Sequence, residues 1–252
     1  MMMYLRNNLF PYADYLLSSF NRDKQEDLKR REFYASFIPE GSLVFDIGAN
    51  MGNRVGPLLA IGNNVVALEP QPRCANYLKL KYGKKINLER KGVGSEEGVL
   101  TMHLSKAHVL STFSSDWIDT LKDSPRFGDK QWSQTIEVEM TTLDLLIAKY
   151  GKPYFMKVDV EGFELEVLKG LNSEIPVISL EYAVPEAMQG LVDCLRRLSD
   201  IYHSPEFNYS VGESMNWAKD KWVSYEDMVS HISTEEFKNT LFGDVYVRSR
   251  PS

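Results

Sequence analysis

Acidic side chains stand at the ends of three otherwise apolar runs. Asp46 sits among Leu43, Val44, Phe45 and Ile47. Glu69 closes the run that begins at Val65, and Asp159 ends the run from Tyr154 and is followed two positions on by Glu161. Behind Asp46 the glycines fall as Gly48, Gly52 and Gly56, with Asn50 between the first two. Glycine there lets the main chain turn sharply and approach a ligand. The spacing departs from the GxGxxG that a dinucleotide requires, and an acid beside the turn repels a pyrophosphate while suiting a cation such as a sulfonium or an amine. Glu69 lies 69 − 46 = 23 positions after Asp46, which is where a carboxylate grips the two hydroxyls of a ribose. The pair Asp159 and Glu161 has three chemical uses: to hold an ammonium, to orient a substrate hydroxyl, or to chelate a metal. The first is preferred, because a metal needs further oxygen ligands and only Glu181 offers one; no metal is expected. Glu161 is equally suited to stabilise the first turn of the helix that follows it.

The elements that must position these residues follow from periodicity. Strands are expected at Leu43 to Ile47, Val65 to Glu69 and Ile86 to Val93, with helices at Gly52 to Ile61 and Arg73 to Tyr82 between them. Alternation of this kind means a parallel sheet with right-handed crossovers, and ligands gather at the carboxyl ends of its strands. The third strand runs into GVGSEEG, where Gly94 and Ser95 are expected beside the ligand, or in a plain turn opening the strand Val99 to Leu104. Further on, Thr135 to Met140 alternates like an edge strand, Thr142 caps a helix from Leu143, and a strand over Val177 to Glu181 follows. Ala187 to Leu198 reads as an amphipathic helix, and Phe207 to Val211 and Phe242 to Ser249 as the last strands. Ahead of the sheet, residues 1–38 read as two helices that cover the substrate side of the site or shield one sheet face, and that offer a surface for homo-oligomer formation.

Periodicity fails between Ser105 and Gln134, a stretch expected to form a lid. His103 and His108 flank its start, and His108 is a candidate base for a hydroxyl; Trp117 and Trp132 either stack on a sugar or pack in a core. At 252 residues, 43% apolar and 25% charged, the chain fits one α/β domain over residues 39–252 with insertions near 105–134 and 212–240, and needs neither disorder nor a membrane. A net charge of −6 argues against nucleic acid as a partner. The isolated Cys74 and Cys194 suggest neither zinc nor a disulfide framework and fit a reducing, cytoplasmic setting. The polar breaks at Asn7, Asn8, Pro11 and Asp14 are unlike a signal-peptide core.

The loop Asp-x-Gly-x-Asn-x-Gly is similar to the S-adenosylmethionine loop of class I methyltransferases. In order, DIGANMG (Asp46 to Gly52), LEP (Leu68 to Pro70), TTLD (Thr141 to Asp144), KVDVEGFELEVLKG (Lys157 to Gly170) and SLEY (Ser179 to Tyr182) resemble the FkbM family of S-adenosylmethionine-dependent methyltransferases. The resemblance implies a class I methyltransferase (Rossmann-like) fold: a doubly wound, mostly parallel sheet with a late antiparallel strand. It further implies O-methylation of a hydroxyl on a sugar, glycan or natural product. Carried over, Asp46, Gly48, Asn50 and Gly52 bind the methionine side of S-adenosylmethionine and Glu69 the ribose, while Asp159 and Glu161 face the methyl group. A methyltransferase acting on RNA, a binding protein without turnover and an NAD-dependent oxidoreductase are the rival readings.

Overall fold

The computed structural model describes residues 24–105, 110–124, 126 and 131–250. His108 and the first of the two expected N-terminal helices lie outside the described residues. A helix over residues 24–35 (α1) precedes β1 (Leu43–Ile47), α2 (Val55–Ala60), β2 (Asn64–Leu68), α3 (Pro72–Tyr82) and β3 (Ile86–Glu89). A detour follows through β4 (Gly92–Val93), β5 (Gly98–Ser105), α4 (Ser115–Lys122) and β6 (Trp132–Thr141). The chain then returns as α5 (Leu143–Tyr150), β7 (Phe155–Val158), α6 (Glu164–Lys169), β8 (Val177–Ala183), α7 (Met188–Ile201) and β9 (Pro205–Val211), and finishes with α8 (Tyr225–Ile232), α9 (Glu235–Lys238) and β10 (Phe242–Ser249).

Seven strands form one sheet in the order β3-β2-β1-β7-β8-β10-β9. The first five are mutually parallel, and β10 runs antiparallel to both of its neighbours. This is the doubly wound, mostly parallel sheet with a late antiparallel strand that the sequence predicts. Two boundaries differ. The expected strand from Ile86 to Val93 breaks after Glu89, because Gly92 and Val93 leave the main sheet to pair with Met140 and Thr141 in a second, three-stranded sheet. The expected helix from Gly52 begins only at Val55, since Asn50 and Gly52 hold φ of 47° and 78° and so keep the turn out of helical geometry.

Side chains alternate across the strands. Phe45, Ile47, Val66, Leu68, Met156, Val158, Ile178 and Leu180 pack one face against Leu143, Val167, Leu195 and their neighbours on α5, α6 and α7. Val44, Val65, Ala67 and Phe155 pack the other against α1, α2 and α3. On that second face α1 contributes Phe33, Tyr34 and Phe37 to an aromatic cluster with Phe155, Trp217 and Tyr246, the Phe155 and Tyr246 rings lying 12° from parallel. Met228, Ile232 and Phe237 of α8 and α9 are fully buried in the first core. Among the described residues no helix is long and apolar enough to cross a membrane.

The period of two also places the polar groups of the sheet. From Phe155, two-residue steps reach Lys157 and Asp159; from Val44, Asp46; from Val177, Ser179 and Glu181; and from Tyr246, Asp244. All therefore belong to the face that α1 and α2 cover, and they collect toward one edge of the sheet. Because Phe155 is fully buried at the centre of the aromatic cluster beneath them, Phe155→Ala is expected to cost about 3–5 kcal/mol of stability in urea unfolding. Phe155→Leu, which refills most of the volume, is expected to cost clearly less.

Candidate functional site

A cleft opens along the carboxyl ends of β1, β2 and β7, where Asp46, Glu69 and Asp159 all line it, together with Gly48, Asn50, Arg54, Glu161, Glu181 and Glu213. Its floor is the turn after β1. Gly48 has φ 84°, and a Cβ there would sit 1.8 Å from the Asp159 carbonyl oxygen, so no other residue fits between the two strand ends. The Glu69 carboxylate holds this turn in place: Oε2 accepts the Asn50 backbone N–H at 2.7 Å and Oε1 accepts that of Gln71 at 2.7 Å. Burial pushes the Glu69 carboxyl up to about 7 against the pull of those two N–H groups and of the Gln71 side chain. Asp46 is 2% exposed, and its Oδ2 has no hydrogen-bond partner. Burial lifts it to about 6 although Lys157 and Arg54 draw it down.

Lys157 carries the opposite charge into the core. Its Nζ donates to Asp244 Oδ1 at 2.6 Å and lies 3.2 Å from Asp159 Oδ2. Burial works against the ammonium, but Asp159 and Asp244 hold its pKa well above the ordinary value. In turn, burial would raise Asp159, and Lys157 overrides it to keep that carboxylate below its usual range. A second link runs alongside: Arg54 donates to both oxygens of Glu213 at 2.6 and 2.7 Å, and Arg30 of α1 reaches the same carboxylate at 3.2 Å.

The turn after β7 is strained and clamped from two sides. Glu161 has φ 56° and Gly162 has φ 81°, and a Cβ on Gly162 would lie 2.4 Å from Trp117 Cγ. Thr112 Oγ1 donates to the Glu161 carbonyl at 2.7 Å, and Glu164 Oε1 accepts the backbone N–H groups of Val160 and Gly162, each at 3.2 Å. Glu164 thus does the work at the start of α6 that Glu161 was equally suited to do, and Glu161 is left facing the cleft. Burial, with Asp159 and Glu164 nearby, raises Glu161 well above the ordinary carboxyl range; burial, Asp159 and Glu161 do the same to Glu181.

The remaining expectations divide. Gly52 shapes the turn from outside the cleft: a Cβ on it would strike Leu78 and Tyr82 at 2.8 Å. Gly94 and Ser95 do not line the cleft, and Lys91, Gly92 and Val93 take that position. The reason is pairing, since Gly94 N–H is bonded to the Thr141 carbonyl and Ser95 is carried to the surface beside Glu166. His103 lies on β5 and borders a separate groove with Lys122 and Trp132. Trp117 and Trp132 are held by packing and by a bond from the Trp132 indole to the Leu110 carbonyl. Sequence reasoning missed Lys157, Asp244, Arg54 and Glu213. The first two left a signal, a lone charge of each sign inside an apolar strand.

A family model described as the methyltransferase FkbM domain matches residues 46–207, which takes in the glycine turn and the acids of the cleft from Asp46 to Glu181. The chain belongs to the FkbM methyltransferase family. It is 30% identical over 178 residues to the hexuronic acid methyltransferase AglP of Haloferax volcanii; the match covers 66% of this chain and 65% of that one, slightly under two thirds of the relative's length. Solved structures similar to this FkbM-family chain include the precorrin-6y C5,15-methyltransferase of Geobacter metallireducens (10% identity, 88% and 86% of the two chains, TM-score 0.45). The TehB-like SAM-dependent methyltransferase of Corynebacterium glutamicum is another (11% identity, 88% of each chain, TM-score 0.46).

Because Lys157 and Asp244 are both almost wholly buried, Lys157→Met leaves two carboxylates facing one another in the sheet. It is expected to destabilise this FkbM-family domain by about 3–5 kcal/mol. Adding Asp244→Asn should recover part of the loss, and urea unfolding of the single and double variants measures the difference.

Proposed function

We propose that this chain is an S-adenosylmethionine-dependent methyltransferase that methylates a hydroxyl oxygen of a carbohydrate acceptor. The observation that carries the reading is the convergence of Asp46, Glu69 and Asp159 on one cleft above the Gly48 turn. The residues fit the cofactor. Carboxylates crowd the cleft, while the cations that line it, Arg54 and Lys91, and Lys157 behind it are each engaged with an acid. The buried Asp46 Oδ2 is an acceptor without a donor. Such a cleft favours a positively charged ligand and disfavours the phosphates of NAD or RNA. Family membership and the relative named for hexuronic acid support methyl transfer to a sugar.

When bound, S-adenosylmethionine supplies an electrophilic methyl group on a sulfonium. The chain's own residues then have three tasks. Glu69 would accept the ribose hydroxyls, and Gly48 lets the main chain close on the methionine side, where Asp46 would hold the ammonium. Glu161 and Glu181, on the acceptor side, would hold the attacking hydroxyl and take its proton, with the strained turn fixing where Glu161 points. Alignment of the acceptor oxygen is the main contribution expected of the protein.

Incubation with S-adenosylmethionine and a panel of hydroxylated sugars, read by mass spectrometry for a gain of one methyl group, tests the reaction. Cofactor binding without turnover across a broad panel would favour a non-catalytic binding protein. Glu69→Ala is expected to weaken S-adenosylhomocysteine binding by about 1.5–3 kcal/mol in calorimetry, and unchanged affinity removes Glu69 from the site. The pH dependence has a definite sign. With Glu69 held up to about 7, its ionised form, the better acceptor, is gained as pH rises through that value. Affinity should therefore tighten from slightly acid to slightly alkaline pH, and Glu69→Gln should flatten that part of the profile.

A further inference from the structure

We propose that Asp159, Glu161 and Glu181 form a binding site for a hard divalent cation (Mg²⁺, Mn²⁺ or Ca²⁺) on the acceptor side of the cleft. One carboxylate oxygen from each of the three residues can be chosen so that all lie within 4.8 Å of one another. Oxygens on opposite sides of a cation with bonds of 2.1–2.4 Å stand about 4.2–4.8 Å apart, and adjacent ones closer, so this spread is the one a single ion spans. The three come from neighbouring parts of the sheet edge: Asp159 follows β7, Glu161 stands in the clamped turn after it, and Glu181 lies near the end of β8, the strand paired with β7.

The fixed charges near them are already committed. Lys157 is bound to Asp244 and touches only Asp159 of the three, while Arg54 is bound to Glu213. Glu161 and Glu181 have no ion-pair partner among the described residues. A buried side chain on another element also points to something held here. Trp117 is 7% exposed, and its indole N–H, which makes no close hydrogen bond, is directed at the Glu161 carboxylate. A buried donor facing acids is satisfied by an oxygen held among them, such as the water or hydroxyl of a coordinated ion. An all-oxygen donor set selects magnesium, manganese or calcium over zinc or copper.

The three acids leave coordination positions open. Adjacent hydroxyls of a polyhydroxylated acceptor fill them, which makes a vicinal diol the acceptor class; that last step rests on the proposed methyl transfer, whereas the cation site does not. Terbium(III), which substitutes for calcium and is sensitised by nearby indole, is the probe, with Mn²⁺ calorimetry beside it. The expected result is saturable tryptophan-sensitised emission that Mn²⁺ or Ca²⁺ reverses, with Mn²⁺ binding weakened by more than about tenfold in Glu161→Gln and in Glu181→Gln. Trp117→Phe should dim the emission and, with the indole N–H gone, weaken Mn²⁺ binding by less than loss of either acid does. Should a Gln variant unfold, Glu181→Asp keeps the charge, withdraws the oxygen by one methylene, and is expected to weaken binding likewise. Absence of saturable Mn²⁺ binding, or equal affinity in wild type and variants, overturns the site. A chain that binds Mn²⁺ through these acids yet methylates no sugar keeps the site and loses the enzyme reading. A chain that methylates sugars without binding Mn²⁺ does the reverse.

Discussion

The buried ammonium of Lys157 is the interaction on which the polar edge of the sheet depends. It sits on β7, and through Asp244 it ties that parallel strand to β10, which lies two places away across β8. Its second contact, Asp159, is the residue from which the acid turn departs. A lysine with 1% of its side chain exposed could not remain charged in an apolar sheet without such partners. Arg54 and Arg30 extend the arrangement by fixing Glu213 against α2 and α1, so the helices that cover this sheet face share charges with the strands beneath. The network therefore orders the cleft from behind. Groups that face a ligand are held by groups that do not.

Much of this order was legible in the sequence, and the limits have physical causes. Apolar runs ending in acids gave the parallel strands and the side of the sheet where ligands gather. The resemblance added the late antiparallel strand. The position of Glu69 after Asp46 put both carboxylates on the same cleft, as the structure finds. What failed was local. Gly94 and Ser95 were read from a glycine-rich string, but whether such a string meets a ligand or pairs with a strand depends on Thr141, far along the chain. The start of α2 was misplaced because left-handed residues delay a helix in a way that glycine spacing does not reveal. Lys157 and Asp244 were passed over for a different reason. Neither charge has a partner within its own strand, and only the pairing of β7, β8 and β10 brings the two together.

The glycine turn shows how fold and site use the same atoms. Glu69 is fixed by donors from both sides, Asn50 from the turn after β1 and Gln71 from the start of α3, and it is itself what fixes them. A ligand hydroxyl that donates to it meets a carboxylate already oriented, so little side-chain freedom is lost on binding. The same carboxylate is pushed by burial toward neutrality, and each donor added from the ligand favours its ionised form. Ligand binding, ionisation of Glu69 and order of the Gly48 turn must therefore rise together. A change that loosens any one of them weakens the other two, which is why a carboxylate at the end of β2 can serve as a strut of the fold and a contact of the site at once.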